Sequence, residues 1–296
     1  MSFDPEVETV ATDKGNKFFD FGSKTYVMGI VNVSPESFSG DGLFSVDIAV
    51  EQASQFIQQG ADIIDVGGQS TRPLSSAQVE HTIHGNFGQA QEYDLLSPEI
   101  EINRVVPVIE KISSLGVPIS IDTFKLSVAK AAIEAGATII NDISGLNSDI
   151  QIASLAADKN ATLILMHNHQ GTEYIDFLKE MKDTLLDSIR KAKSMGVMNQ
   201  NIIIDPGFGF GKSVSQNINV LRNLDNIKNE LKYPLLLGTS RKSTLGHIMK
   251  LPVNERIEAT AATVALGISK GVDIIRVHDV KYMARVAKMA DSIVRY

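Results

Sequence analysis

Gly136-Ala137-Thr138-Ile139-Ile140-Asn141 is the stretch on which the fold turns. Its glycine follows an amphipathic segment, residues 126–135, and tolerates the left-handed backbone that closes a helix. The apolar run after it reads as a strand buried on both faces. Asn141 ends that run on a polar group, at the rim of a parallel sheet, where ligands bind in α/β folds. Outward from this point the unit recurs as Gly60-Ala61-Asp62-Ile63-Ile64 and Gly271-Val272-Asp273-Ile274-Ile275, and more loosely as Gly116-Val117-Pro118-Ile119. The polar ending recurs as well: Val31 gives way to Asn32, Ile121 to Asp122, Ile204 to Asp205 and Ile275 to Arg276.

Strands are predicted over 26–31, 63–66, 119–121, 139–141, 162–166, 202–204, 235–238 and 274–277, with a further alanine-rich helix over 255–270. Eight strands with intervening helices point to an α/β fold, a closed (β/α)₈ TIM barrel. An open doubly wound sheet is the alternative, but the phosphate fingerprint expected after its first strand is missing. Residues 1–24 read as an N-terminal extension, a short hairpin turning at Gly22-Ser23 and plugging the barrel's bottom; residues 25–296 form the barrel. Residues 74–96 carry no clear period and interrupt the second βα unit as a long insertion of the kind that forms lids.

The chain's 296 residues suit one barrel, a fold of roughly 250 residues before insertions. With no cysteine, thiolate metal sites, iron–sulfur clusters and disulfides are excluded, and any metal must use oxygen or imidazole ligands, which puts Mg²⁺ first. No apolar stretch approaches the roughly 20 residues that span a bilayer, and Asp4, Glu6 and Glu8 stand where a signal peptide would be basic and apolar. A cytoplasmic enzyme with no membrane partner is expected. A net charge of −7 argues against nucleic acid, so an anionic substrate must meet local Arg and Lys.

The rim positions divide by chemistry. Asp122, Asn141 and Asp205 each follow an apolar run, and burying such acceptors is costly without donors. Together they suit a heterocycle rich in N–H groups; each could instead cap the following helix. Asn32 opens a polar loop, 32–42, and offers an amide oxygen to Mg²⁺ or to a hydrogen bond. Arg72, after Gly67-Gly68, can clamp an oxyanion or lie in a solvated turn. Asp205-Pro206-Gly207-Phe208-Gly209-Phe210-Gly211-Lys212 combines a permissive backbone with flat rings and a cation, without the spacing of a dinucleotide site or a P-loop. Gly238-Thr239-Ser240-Arg241-Lys242-Ser243 follows the seventh strand, where barrels often place a phosphate. Arg276 and His278 alternate onto one side of the chain and can bind a diphosphate. His81 and His84 have helical ligand spacing, but with only Glu80 nearby they make a poor metal site.

These residues carry a family resemblance. Met28-Gly29-Ile30-Val31-Asn32-Val33-Ser34-Pro35-Glu36-Ser37-Phe38-Ser39, Asp65-Val66-Gly67-Gly68-Gln69-Ser70-Thr71-Arg72-Pro73, Asn141-Asp142-Ile143, Leu165-Met166-His167, the 205–212 run, Ser240-Arg241-Lys242-Ser243 and Arg276-Val277-His278-Asp279 resemble, in order, the blocks of the dihydropteroate synthases, over about residues 24–296. The resemblance implies a homodimeric barrel that joins p-aminobenzoate to hydroxymethyl-dihydropterin diphosphate with Mg²⁺, by a dissociative, SN1-like substitution, in the target class of sulfonamides. Carried over, the pterin pocket is Asp122, Asn141, Met166, Asp205, Phe210 and Lys242. The p-aminobenzoate site is Thr71, Pro73, Phe210, Lys242 and Ser243; the diphosphate site is Asn32, Arg72, Arg276 and His278, with Asn32 the metal ligand. Asp122, Asp205, Lys242, Arg276 and His278 are the implied catalytic set.

The chain departs from the family pattern at Glu36, where Asp is common, at Gln69, where Glu is, at Gly40-Asp41, and at Asn168. The 74–96 insertion is longer than the usual connection. A methyl-tetrahydrofolate:corrinoid methyltransferase-like barrel would share the pterin pocket but has no need of Ser240 to Ser243 with Arg276 and His278, and a non-catalytic pterin-binding paralogue would have no need to keep the cations.

Overall fold

A computed structural model describes residues 18–33, 46–69 and 96–295. Eight parallel strands alternate with helices: β1 (Tyr26–Asn32), α1 (Val46–Gln58), β2 (Ile63–Gly67), α2 (Pro98–Ile112), β3 (Ile119–Asp122), α3 (Leu126–Glu134), β4 (Ile139–Asp142), α4 (Gln151–Asp158), β5 (Thr162–Met166), α5 (Phe177–Ser194), β6 (Ile202–Asp205), α6 (Val214–Arg222), α7 (Leu224–Leu231), β7 (Leu236–Leu237), α8 (Ser243–Met249), α9 (Ile257–Ser269), β8 (Ile274–Val277) and α10 (Val280–Val294). The sheet runs β6-β5-β4-β3-β2-β1-β8-β7, and a parallel bridge from Ile204 to Leu235 brings its two ends together. The (β/α)₈ barrel expected from the sequence is the fold observed. Among the described residues no helix is long and apolar enough to cross a membrane.

The two-residue period of a strand sorts the side chains. Outward-facing Val27, Val31, Ile64, Val66, Ile121, Ile140, Leu163, Leu165, Ile204, Leu237 and Ile275 pack beneath the helices in one continuous core. Their neighbours Met28, Ile63, Ile139, Ile164, Ile203, Leu236 and Ile274 fill the barrel's interior near its bottom. Phe19 closes that floor, edge-on to Tyr26 with ring centroids 5.0 Å apart. The turn leading into β1 is made at Gly22-Ser23, with Ser23 donating its N–H to the Asp20 carbonyl. Gly136 and Gly271 have φ of 119° and 89°, so the helix-closing glycines do adopt the conformation that favours glycine.

Two elements differ from the sequence reading. β7 is only Leu236–Leu237, shorter than the expected 235–238, because Leu235 serves both edges: it bridges to Ile204, and its carbonyl accepts from the N–H of Asp273 and of Ile274. The helix expected over 255–270 begins at Ile257, after a separate short turn, Val253–Glu255. Arg256 breaks the two apart, its guanidinium donating to the carbonyls of Leu251, Arg241 and Lys242. Residues 1–17, 34–45, 70–95 and 296 lie outside the described residues, and with them fall Thr71, Arg72, Pro73, His81, His84 and nearly all of the expected 74–96 insertion.

The floor ring tests this packing. Phe19→Ala empties a site lined by Tyr26 and Met28, for which buried Phe to Ala changes cost about 3–5 kcal/mol. A clearly lowered urea midpoint is expected, and an unchanged one would show that Phe19 does not seal the barrel.

Candidate active site

The interior changes character above the apolar floor. By the same alternation Asp65, Ser120, Asn141 and Arg276 face the interior, as do Asn32, Gly67, Asp122, Met166 and Asp205 at the C-terminal ends of their strands. Register sets Asp122 beside both Gly67 and Asn141, and Met166 beside Asp205. Asn32 Oδ1 lies over Gly67, 3.7 Å from where a Cβ would stand, as does the Asp122 Cβ. Gly67 therefore lies between Asn32 and Asp122, within contact distance of both.

Arg276 organises this centre. Its Nε donates to Asp65 Oδ2 at 2.6 Å and its Nη2 to Asp122 Oδ2 at 2.6 Å, while Asn141 Nδ2 reaches Asp65 at 3.4 Å. Burial alone would lower the pKa of the guanidinium, but Asp65 and Asp122 more than offset it and hold it raised. Asp122 moves the other way: burial, opposed by Arg276 and reinforced by the charge of Asp65, pushes it up to about 7. Burial also raises Asp205, against the Gly207 N–H that donates to Oδ1 at 2.7 Å and the charges of Lys242 and Lys212. Among the described residues Asp65 Oδ1, Asp122 Oδ1 and Ser120 Oγ are buried and find no hydrogen-bond partner, so the mouth keeps acceptor capacity.

The glycine-rich loop follows β6. Gly207, Gly209 and Gly211 have φ of 68°, 85° and 54°. A Cβ at Gly207 would lie 1.9 Å from the His167 carbonyl oxygen, and one at Gly211 2.0 Å from that of His169. The loop therefore packs backbone on backbone against the segment after β5. Gly209 leaves room for the stem of Lys242, whose Nζ lies 3.8 Å from the Phe210 ring centroid, a cation–π distance. Phe210, Met166 and Ile143 pack together, with Phe124 against them, as an apolar wall.

On the far side, the Ser240 hydroxyl meets the backbone N–H of His278 at 3.2 Å and its Nδ1 at 3.1 Å. Burial, then the nearby Arg276, lowers His278 to about 3, so the imidazole is neutral near pH 7. Arg241 is committed to Asp279 through two hydrogen bonds, which leaves Lys242 as the cation of that pair facing Phe210. Ser243 opens α8 directly after Lys242.

Asp122, Asn141, Met166, Asp205, Phe210, Lys242, Arg276 and His278 thus gather around one opening, with Asn32 at its edge. Sequence reasoning missed Asp65 and gave His167 no role, and it read Ser240 only as one hydroxyl of an anion-binding stretch. The signal for Asp65 was a carboxylate inside the apolar run Ile63-Ile64-Asp65-Val66, on the inward phase of the strand. Among the described residues no three His, Cys, Asp or Glu side chains form a metal cluster.

A barrel whose mouth gathers carboxylates, an amide, cations and an aromatic ring has the chemistry to hold a planar, polar ring bearing an anionic group. A family model for pterin binding enzymes matches residues 28–84 and 85–278. The dihydropteroate synthase of Clostridium beijerinckii is 48% identical over 284 residues, 95% of this chain and 98% of that protein. A solved dihydropteroate synthase from Clostridium difficile, in the presence of pteroic acid, superposes with a TM-score of 0.85 at 45% identity, covering 94% of this chain and 100% of that one. The Yersinia pestis dihydropteroate synthase with a sulfonamide drug gives 0.80 at 31% identity, covering 92% and 94%. The chain belongs to the pterin-binding enzyme family and, within it, to the dihydropteroate synthases.

The neutral histidines predict an acid limb. Unfolded, an imidazole takes up its proton below about pH 6.5. Folded, His278 stays neutral down to about 3 and His167, lowered chiefly by burial and then by Lys212, to about 2. Their contribution to stability is present above pH 6.5 and is lost as pH falls toward 3. Asp122, raised, runs oppositely, its contribution being lost as pH rises from 3.8 toward 7. His278→Gln should flatten the decline of melting temperature between pH 6.5 and 4; an unaltered slope would contradict the neutral burial of His278.

Proposed function

We propose that this chain condenses p-aminobenzoate with hydroxymethyl-dihydropterin diphosphate, giving dihydropteroate and free diphosphate, as a transferase of folate synthesis. The observation that carries the reading is the shared guanidinium: Arg276 stands behind both the acceptor wall and the anion side, bonded to Asp65 and Asp122 and adjacent to His278.

In this reading Asp122, Asn141 and Asp205 accept hydrogen bonds from the pterin, Met166 and Phe210 line its faces, and Lys242 borders it. The diphosphate meets Asn32, Arg72, Arg276 and His278. The p-aminobenzoate lies among Thr71, Pro73, Phe210, Lys242 and Ser243. As the C–O bond breaks, its electron pair leaves with the diphosphate and positive charge develops on the pterin methylene group. Asp122 and Asp205 oppose that charge, and the cations oppose the leaving group's, both fixed before the reaction begins. The neutral amine then attacks the methylene carbon and loses its proton. No strong base is required.

Asn32 presents a hard, neutral oxygen at the edge of the mouth and would be the protein's ligand to Mg²⁺, the substrate and water supplying the rest. When bound, Mg²⁺ neutralises charge on the departing diphosphate. Two copies of the chain are proposed to associate. Tyr282, Met289 and Ile293 recur at helical spacing on α10 and are 51%, 62% and 68% exposed, and Leu266 on the adjoining α9 is 60% exposed. We place the enzyme in the cytoplasm.

Release of diphosphate from p-aminobenzoate and the pterin diphosphate tests the reaction, and sulfonamide should suppress it by competing with p-aminobenzoate. Absence of diphosphate release from the purified wild type would favour a methyl-transferring or non-catalytic pterin binder. Lys242→Ala should lower kcat by about 10²-fold, the scale on which removing one preorganised electrostatic group acts. Unchanged turnover would remove Lys242 from the mechanism.

A further inference from the structure

The cation of the glycine-rich loop has no task in the reaction described above. Lys212 is 9% exposed, and its Nζ donates to the carbonyl oxygens of Gly207 and Phe210 at 2.9 Å each and to His167 Nδ1 at 2.8 Å, with the His167 carbonyl at 3.4 Å. All four acceptors are neutral, because His167 is held unprotonated. A buried ammonium given only neutral partners is a costly arrangement, and burial lowers Lys212 to about 7. Two further charges face it, Asp205 from β6 and Lys242 from the head of α8, and His169 stands beside its partner His167.

Its acceptors come from two segments, the loop after β6 and the residue that follows β5. Gly207 donates its N–H to the Asp205 carboxylate, and Phe210 carries the ring that faces Lys242, Met166 and Ile143. His167 continues directly from Met166 at the end of β5. One ammonium thus joins the carboxylate's anchor, the aromatic wall and the neighbouring strand, in a loop where three left-handed glycines leave the backbone free to turn elsewhere.

We propose that Lys212 is a positioning residue of the pterin pocket: through the carbonyls of Gly207 and Phe210 and the ring of His167 it fixes the Asp205 carboxylate and the Phe210 ring in their binding arrangement before the pterin arrives. The inference rests on the assignment of this mouth to a pterin substrate. Without the ammonium the loop samples other arrangements, and apparent affinity falls in proportion to the fraction that remains competent, whereas a saturated enzyme has selected the competent form. The effect therefore falls on KM for the pterin diphosphate.

Lys212→Met keeps the stem's apolar bulk and removes the charge. It should raise KM for the pterin diphosphate, and the Kd for pteroic acid by calorimetry, about tenfold or more, with kcat changed by less than about threefold. A second pair of variants works from the other partner, which also covers the case in which Lys212→Met does not fold. His167→Leu deletes the acceptor and should raise the same KM several-fold, while His167→Asn, whose amide oxygen can take the place of Nδ1, should restore it to within about twofold. KM and Kd unchanged in Lys212→Met, or His167→Leu and His167→Asn behaving alike, would overturn the proposal. A wild type that binds pteroic acid but forms no dihydropteroate would instead overturn the reaction assignment alone, since the calorimetric arm reads Lys212 without turnover.

Discussion

Two carboxylates placed inside a barrel need a cation, and here a single guanidinium serves both. Arg276 rises from β8 between Asp65 on β2 and Asp122 on β3, reaching across the mouth to strands that are not its neighbours on both sides. Removing one partner of such a buried set leaves an uncompensated charge, typically at a cost of about 3–5 kcal/mol, so the three groups stand or fall together. The remaining rim is arranged around them. Burial raises Asp122 to about 7, burial and then the same guanidinium keep His278 neutral, and Gly67 lies between Asn32 and Asp122 at the opening. Acceptor wall and anion side are therefore two faces of one electrostatic unit.

The second constraint is steric. The loop after β6 lies so close to the segment after β5 that two of its residues can carry no side chain, and a third glycine yields its space to the stem of Lys242. Close approach leaves peptide carbonyls turned away from water, and these require donors. Lys212 supplies them from inside, Tyr174 supplies the Gly211 carbonyl from outside at 2.8 Å, and Asn217 ties Gly209 to Thr244 on α8. Three successive barrel units are joined in this way at the place where the aromatic wall stands.

Much of this was legible in the linear chain. A strand buried on both faces cannot disguise itself, so the runs ending at Asn32, Asp122, Asn141, Asp205 and Arg276 revealed both the barrel and its rim. What escaped was decided by tertiary contact. Asp65 sits one step below the rim, where a rule about strand ends does not look, and its pairing with Arg276, far along the chain, makes a carboxylate tolerable there. Lys212 read only as a cation added to a permissive loop; its burial against His167 is a tertiary contact that local pattern cannot supply. Leu235 shortened a predicted strand by serving two edges, and Arg256 split a predicted helix by bonding to carbonyls in the preceding turns.

The opposite end of the barrel has its own consequence. Thr25, just ahead of the first strand, gives both its N–H and its hydroxyl to Asp291 in the last helix, and Arg295 reaches the carbonyls of Gly22 and Val272. Entry and exit of the described chain are thus fastened side by side beneath the floor ring of Phe19, with the full depth of the barrel between them and the chemistry. The bottom of the barrel carries a fastening of its own, independent of the groups at the mouth, and it holds the first and last strands' surroundings in register without touching the chemistry.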